Sequence, residues 1–274
     1  MKKILEFFGI KTFYNSAYAI WNFFMTNTCA LMGYDLDKIS PKAYKYVTET
    51  AYPFFNAIGG SLLAMFLLIG YLRKVDNLKE GITYESFLEM IIKLFIAEGI
   101  LLNATSLMNE FISIASIASK YFMGSTPPNL VTTEMDLGSF LLYHLMMGIV
   151  FAVMAFICGA TILLTVFKRY LNLFMVIAVC PLATVTIAGG RGFENTFYAW
   201  MKTFFTETFK VVIIALALRV SGFMVSSMGY INTNYISGLF DGALATVTSM
   251  LQMLIVTAAV KGSDELMKRM FDLR

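Results

Sequence analysis

Apolar runs of about 20 residues recur along this chain, and no other feature restricts its fold as strongly. The clearest runs lie at residues 52–72, 140–167, 203–228 and 241–260. A helix of about 20 apolar residues spans a hydrocarbon core of roughly 30 Å. The chain is 58% apolar and 14% charged, whereas soluble domains are about 45–50% apolar and about 25% charged. The sequence therefore predicts an all-α, polytopic bundle of transmembrane helices.

Residues 171–220 hold two apolar runs joined by a glycine-rich turn, and the bundle is predicted to form around them. The first run, 171–188, barely reaches across a membrane and contains Pro181, which removes a backbone donor. Basic residues flank it on both sides, and short basic loops stay cytoplasmic. Both ends then lie inside, so we expect a broken or re-entrant segment that protein or water must cover. The turn that follows consists of Gly189, Gly190, Arg191 and Gly192.

The order of apolar and charged residues divides the chain into three parts. Residues 1–51 begin with closely spaced aromatic residues, which predict an amphipathic helix in the membrane interface; a poorly apolar transmembrane helix is the alternative. Residues 52–260 form the predicted bundle, with about five full crossings besides the re-entrant segment. Residues 261–274 are expected to be a basic cytoplasmic tail, since clustered Lys and Arg remain inside.

Isolated charged residues lie inside apolar segments, where charge is costly and marks a bundle interior or a functional surface. Glu98 is the most isolated acid of a longer segment at 84–120. The others belong to the run at 203–228: Glu207, Lys210 and Arg219. We expect these side chains to face a wet interior or channel, with Glu98 as the candidate partner of Arg219. The alternative is that Arg219 extends to the outer headgroups.

Small residues mark two candidate surfaces for close helix packing. Gly59 and Gly60 are adjacent in the first crossing, and Gly238 and Gly242 lie four residues apart at the last one. Small side chains let two helices approach closely within a membrane. We therefore expect the chain to form a homo-oligomer.

Motifs for catalysis and for nucleotide binding are absent from the sequence. The glycine cluster at 189–192 lacks the spacing of a phosphate-binding loop, and neither HExxH nor GxSxG occurs. Cys29, Cys158 and Cys180 do not have the spacing of a metal cluster. We expect that the chain is not an enzyme and that it holds no cofactor or metal.

The stretch AGGRGFENTFYAWMKTFFTETFKVVIIALALRV, residues 188–220, carries a resemblance to a known family. Its small-residue turn, the Trp200-Met201-Lys202 triplet and the long helix after it resemble the TrbL family of polytopic inner-membrane subunits of type IV secretion and conjugation machines. The aromatic N-terminus and the crossings after it are similar to that family too. The lack of a large extracytoplasmic domain resembles the short forms of Gram-positive conjugative elements.

This resemblance implies a multi-pass protein of the cell membrane that forms part of a translocation channel. Its implied partners are other channel subunits and a cytoplasmic ATPase, and nucleic acid would contact it only transiently, as relaxase-bound single-stranded DNA in transit. Two alternatives stay open. Broken helices and charges at mid-membrane depth are also typical of secondary transporters or permease subunits for small solutes, and a scaffold that only anchors partners is the third hypothesis.

Overall fold

The computed structural model describes residues 10–77, 84–124, 141–190, 192–226 and 241–271. Within these ranges all regular secondary structure is helical, which confirms the all-α class. The elements are α1 (Ile10–Met32), α2 (Leu36–Ile39), α3 (Pro41–Tyr46), a π-helical turn (Val47–Ala51), α4 (Tyr52–Asn77), α5 (Tyr84–Met123), α6 (Leu141–Thr184), a 3-10 turn (Val185–Gly189), α7 (Glu194–Ser226) and α8 (Asp241–Met270).

Among the residues that the structure describes, two helical stretches are long and apolar enough to cross a membrane. Pro41–Leu72 has 32 residues and contains an 18-residue window with a mean hydropathy of 1.8, and Leu145–Gly189 has 45 residues and contains such a window with a mean hydropathy of 2.6. Both exceed the length of about 20 residues that a crossing needs. They belong to the predicted bundle, whereas the full set of about five crossings stays a prediction.

The chain is continuous where a break was expected, and this corrects one prediction. Helix α6 runs without interruption through Lys168 and Arg169, so no separate segment begins at residue 171. Residues 165–172 contain neither Gly nor Pro, and nothing in their sequence therefore ends a helix. Pro181 lies inside α6, and its α-helical geometry ends only at Thr184. The expected re-entrant break at this position is thus wrong for the described backbone.

The described residues pack as two compact units. Unit 1 contains Met1–Gly33, Ser116–Lys168 and Lys210–Met267, and unit 2 contains Tyr34–Ala115, Arg169–Phe209 and Lys268–Arg274. Both predicted domain boundaries, after residues 51 and 260, lie inside continuous helical stretches. The functional division into three parts stays a prediction.

In unit 1, helix α1 packs its aromatic face against α6. Its buried residues recur every three or four positions and so form one face of the helix; they are Tyr14, Ala17, Trp21, Met25, Thr28 and Met32. The Tyr18 ring meets the edge of Phe151 at a centroid distance of 5.2 Å, and Phe24 meets Phe156 at 5.6 Å. Helix α1 therefore has one buried face, which other parts of the protein cover. Its place in the membrane interface stays a prediction.

In unit 2, helix α4 packs closely against the end of α6 and the 3-10 turn. A Cβ atom built on Gly59 would lie 3.3 Å from the carbonyl oxygen of Pro181, and one on Gly70 would lie 2.7 Å from that of Ala188. The hydroxyl of Tyr52 donates to the carbonyl of Leu101 at 2.9 Å, which connects α4 with α5. Glycine thus permits a contact that larger residues would prevent.

Candidate functional site

A buried arginine on α6 lies at the centre of the most polar region of unit 2. Arg169 is only 1% exposed. Its Nε donates to the carbonyl of Glu207 at 2.9 Å, and its Nη2 donates to the carbonyl of Thr208 at 3.1 Å. The guanidinium carbon also lies 4.7 Å from the centre of the Tyr170 ring, within the range of a cation–π contact. One side chain of α6 therefore binds two successive backbone carbonyls of α7.

The carboxylate of Glu207 belongs to the same region. Glu207 is 7% exposed, and its Oε1 accepts a hydrogen bond from Nδ2 of Asn172 at 3.0 Å. Asn172 follows Arg169 by three residues, so the two side chains share one face of α6. Opposite charges on α6 and α7 are thus buried together, each bound by groups of the other helix. We call Arg169, Tyr170, Asn172, Glu207 and Thr208 the polar cluster.

Some donors and acceptors of the polar cluster keep unused bonding capacity. Nη1 of Arg169 and Oγ1 of Thr208 are buried and make no hydrogen bond with the part of the chain that the structure describes. The hydroxyl of Tyr170 donates to the carbonyl of Tyr34 at 3.3 Å. Because an unpaired buried polar group is costly, the cluster has the chemistry of a hydrogen-bonding and charge-compensating site. It contains no nucleophile paired with a base.

Sequence reasoning identified Glu207 but not Arg169, which it took as the end of a crossing. The available signal was the spacing of Arg169 and Asn172, three residues apart in the helix-compatible sequence TVFKRYLN. A basic residue in a stretch without Gly or Pro is compatible with a continuous helix and does not by itself indicate a loop. Here its charge lies inside the protein, where the rule for cytoplasmic loops does not apply.

In unit 1, buried Lys210 and partly exposed Asp264 form a second charged pair. Lys210 is 2% exposed, and its ammonium group makes an ion pair with the Asp264 carboxylate, which joins α7 to α8. Lys210 was expected to face a polar interior, and the structure places it inside unit 1. Asp264 was not singled out, because it lies in the segment predicted to be a tail. That segment continues α8 to Met270.

The remaining predicted charges lie in different surroundings. Glu98, on α5 of unit 2, is exposed. Arg219, on α7 of unit 1, lies with its guanidinium carbon 4.7 Å from the ring centre of Phe223. Its Nη2 is 3.7 Å from the position of a Cβ atom on Gly124, at the end of α5. The pairing of Glu98 with Arg219 stays a prediction.

The glycine turn connects the 3-10 turn to α7 within unit 2. Gly190 has a φ of +72° and Gly192 a φ of +98°, a conformation that favours glycine. The carbonyl of Gly190 accepts hydrogen bonds from the amides of Phe193 and Glu194 at 3.2 and 3.3 Å. Gly189 is buried, and Arg191 lies outside the described residues. These contacts are those of a tight turn between helices.

An ion-pair network holds the first turn of α7 against α5. The ammonium group of Lys93 lies 3.0 Å from the carboxylate of Glu89 and also pairs with Glu194. Glu194 is at the amino end of α7, where an acidic side chain complements the helix dipole. The ion pair with Glu194 therefore connects the start of α7, directly after the glycine turn, to α5.

The predicted packing glycines differ in their surroundings. Gly59 lies against Pro181, whereas a Cβ atom on Gly60 would meet nothing within 4 Å. Gly238 lies outside the described residues, and Gly242 belongs to α8. Gly70, which sequence reasoning did not select, makes the closest of the described α4 contacts with the 3-10 turn.

Comparisons with known proteins give no relative for this chain. No family model, curated protein or solved structure matches it.

Proposed function

We propose that this chain is a multi-pass subunit of the cell membrane that forms part of the channel of a type IV secretion or conjugation machine. It would help relaxase-bound single-stranded DNA, or protein, to cross the membrane. The observation that carries the proposal is the polar cluster around Arg169 and Glu207. It lies on a helix whose apolar stretch, Leu145–Gly189, is long enough to cross a bilayer. Charge retained in such a helix marks function or a bundle interior.

The proposed resemblance to TrbL proteins rests on the region after the glycine turn. The residues that resemble TrbL proteins include Trp200, whose Nε1 donates to the carbonyl of Val176 at 3.0 Å. The indole of Trp200 also stacks on Phe204 at a centroid distance of 5.7 Å. These contacts give the Trp-Met-Lys triplet a defined place beside α6. A junction held by such contacts is suited to a subunit that docks with others.

The proposed partners are further channel subunits, a cytoplasmic ATPase, membrane lipid and other copies of this chain. The sequence has no phosphate-binding loop, so the energy for transport would come from the ATPase. Nucleic acid would be a transient cargo. We propose no catalytic role for the chain itself.

Deletion of the coding sequence from a donor strain tests the proposal. We expect transfer of a mobilisable plasmid to fall to background, and complementation with the intact chain to restore it. Carbonate extraction should leave the complementing protein in the membrane pellet. Normal transfer by the deletion strain, or release of the chain into the soluble fraction, would contradict the proposal.

A secondary transporter or permease subunit for a small solute is the second candidate. The ion pair of buried Lys210 with Asp264 favours it, because paired charges on facing helices are typical of transporters. Solute uptake by the purified chain in liposomes, lost in the Asp264→Asn variant, would support this function and exclude a purely accessory role.

A further inference from the structure

Three sulfur-containing residues line one pocket of about 120 Å³ in unit 1, where α1 and α5 both end. Cys29 and Met32 belong to α1, and Met123 is the last residue of α5. Cys29 is a free cysteine. Thiolate and thioether sulfur atoms are soft ligands, and they select Cu(I) among the biological metals. Cysteine spacing alone gave no sign of such a site, because two of its three candidate ligands are methionines.

The backbone brings these residues to the pocket from both helices. Cys29 and Met32 are three residues apart in the last turns of α1, so they are neighbours on its surface. The carbonyl oxygen of Met32 lies 2.8 Å from the hydroxyl of Ser119 on α5, which is hydrogen-bond distance. Met123 follows Ser119 by four residues and so shares its face of α5. The contact at Ser119 therefore holds the end of α1 beside the helix face that carries Met123.

The exposure of the three residues provides both a dry surrounding and an entry path for an ion. Met32 and Met123 are only 1% and 5% exposed. Cys29 is partly exposed, so an ion can reach its sulfur from outside. Methionine has an unbranched, flexible side chain that adapts to its surroundings. Small rotations of two such side chains can bring their sulfur atoms onto one ion.

The lining of the pocket favours Cu(I) over other metals. None of the residues that line it is an acid or a histidine. Mg²⁺ and Ca²⁺ need oxygen ligands, and Zn²⁺ sites are built from several cysteines, histidines or carboxylates. One cysteine with two thioethers meets neither requirement. The same three sulfur atoms are the ligands that Cu(I) prefers.

Binding of Cu(I) would leave the net charge of the pocket unchanged. Burial raises the pKa of the Cys29 thiol to about 11, so at neutral pH the thiol is protonated and uncharged. The ion brings one positive charge, forms a bond with the Cys29 sulfur and displaces the thiol proton to solvent. Neither oxidation nor reduction takes place. Because a proton is released, binding should weaken as the pH falls.

We propose that this pocket binds one Cu(I) ion through the sulfur atoms of Cys29, Met32 and Met123. The bound ion would fasten the end of α1 to the end of α5. The inference goes beyond the proposed function, and it depends neither on the role in secretion nor on the number of membrane crossings.

Competition for Cu(I) between the full chain in detergent and a chromophoric chelator, with ascorbate to keep the metal reduced, tests the site. We expect one tightly bound ion for each intact chain, and Cys29→Ser should abolish tight binding. Met32→Leu and Met123→Leu nearly conserve side-chain volume. Each should weaken binding by about tenfold or more, since even groups outside the ligand shell contribute about that much. Met175→Leu, at an exposed methionine of α6, is the matched control and should bind like the intact chain.

The two leucine variants distinguish a metal site from a thiol that acts alone. If both bind Cu(I) as tightly as the intact chain, the methionines are not ligands and the proposed site is overturned. Full binding by Cys29→Ser, or no tight binding by the intact chain, would overturn it as well. Zn²⁺ at the same concentration should not displace Cu(I), and displacement would contradict the assignment of soft ligands. Midpoints of thermal unfolding without metal show that each variant is folded.

Discussion

Arg169 fixes α6 to α7 through two backbone carbonyls, so its removal should be costly. We expect Arg169→Ala to lower the free energy of unfolding by about 3–5 kcal/mol, because Glu207 would remain buried without the positive charge beside it. Arg169→Lys should recover only part of this, since one ammonium group cannot reproduce the planar fork. Thermal unfolding in detergent measures both. Lys168→Ala, at the exposed neighbour, should stay within about 0.5 kcal/mol of the native chain; equal losses at 168 and 169 would contradict this role.

The pair of Lys210 and Asp264 makes a double-mutant cycle informative. Lys210→Met and Asp264→Asn should each destabilise the chain, because each leaves one charge without its partner. The double variant should lose less than the sum, with a coupling of about 0.5–3 kcal/mol. Lys261→Met, at an exposed lysine of the same helix α8, is the control. Strictly additive losses would show that the ion pair contributes no stability.

At the residue scale, the sequence indicated which charged residues would be costly to bury, but it did not indicate which residues bind them. Glu207 and Lys210 stood out because they are charged residues of a mainly apolar run, and both are buried. The partner of Glu207 is Asn172, 35 positions away, and the partner of Lys210 is Asp264, 54 positions away. No local pattern encodes such distant contacts, since they depend on how the helices pack.

At the scale of one element, helix α4 offers a matched pair of glycines with opposite expected effects. Gly70→Ala should destabilise unit 2 by about 1–3 kcal/mol, because its Cβ would lie 2.7 Å from the Ala188 carbonyl oxygen. Gly60→Ala should instead stabilise the helix by about 0.5–1 kcal/mol, since it meets open space. Midpoints of thermal unfolding in one detergent compare the two. If both variants move the midpoint in the same direction, the close contact of α4 with the 3-10 turn does not determine the effect of Gly70→Ala.

The sequence predicted a break in the region where α6 is continuous, and particular residues explain the difference. Two basic residues and a proline met the usual criteria for a loop and for a broken segment. Arg169 is buried by protein, however, and only Lys168 is exposed. Pro181 is buried against Gly59 of α4. A buried charge therefore does not require a loop here, and α6 continues past Pro181 to Thr184.

At the scale of the whole molecule, composition predicts the class of protein better than the number of crossings. The stretches Pro41–Leu72 and Leu145–Gly189 each contain a strongly apolar window of 18 residues, and length and hydropathy identify both. Helices α5, α7 and α8 mix charged with apolar residues. Their place in a membrane depends on which faces are covered, and hydropathy along the chain cannot specify that.

The stretch Pro41–Leu72 also carries the prediction of self-association. Its exposed surface includes large apolar side chains such as Phe54 and Leu68, at 62% and 57% exposure, which need lipid or protein to cover them. Beside them lies an exposed surface of small residues on α4, one turn apart, where a second helix can approach closely. It consists of Ala57, Gly60, Ser61 and Ala64.

We expect the purified chain to be a homo-oligomer in mild detergent, with this small-residue surface at the contact between copies. Gly60→Leu should shift it to monomers, because the leucine occupies space that nothing in its own chain fills. Ala199→Leu adds the same bulk at an exposed position of α7 and should leave the assembly unchanged. Native mass spectrometry measures the subunit number of all three proteins. A monomeric native chain, or an intact oligomer in Gly60→Leu, would show that this surface faces lipid instead.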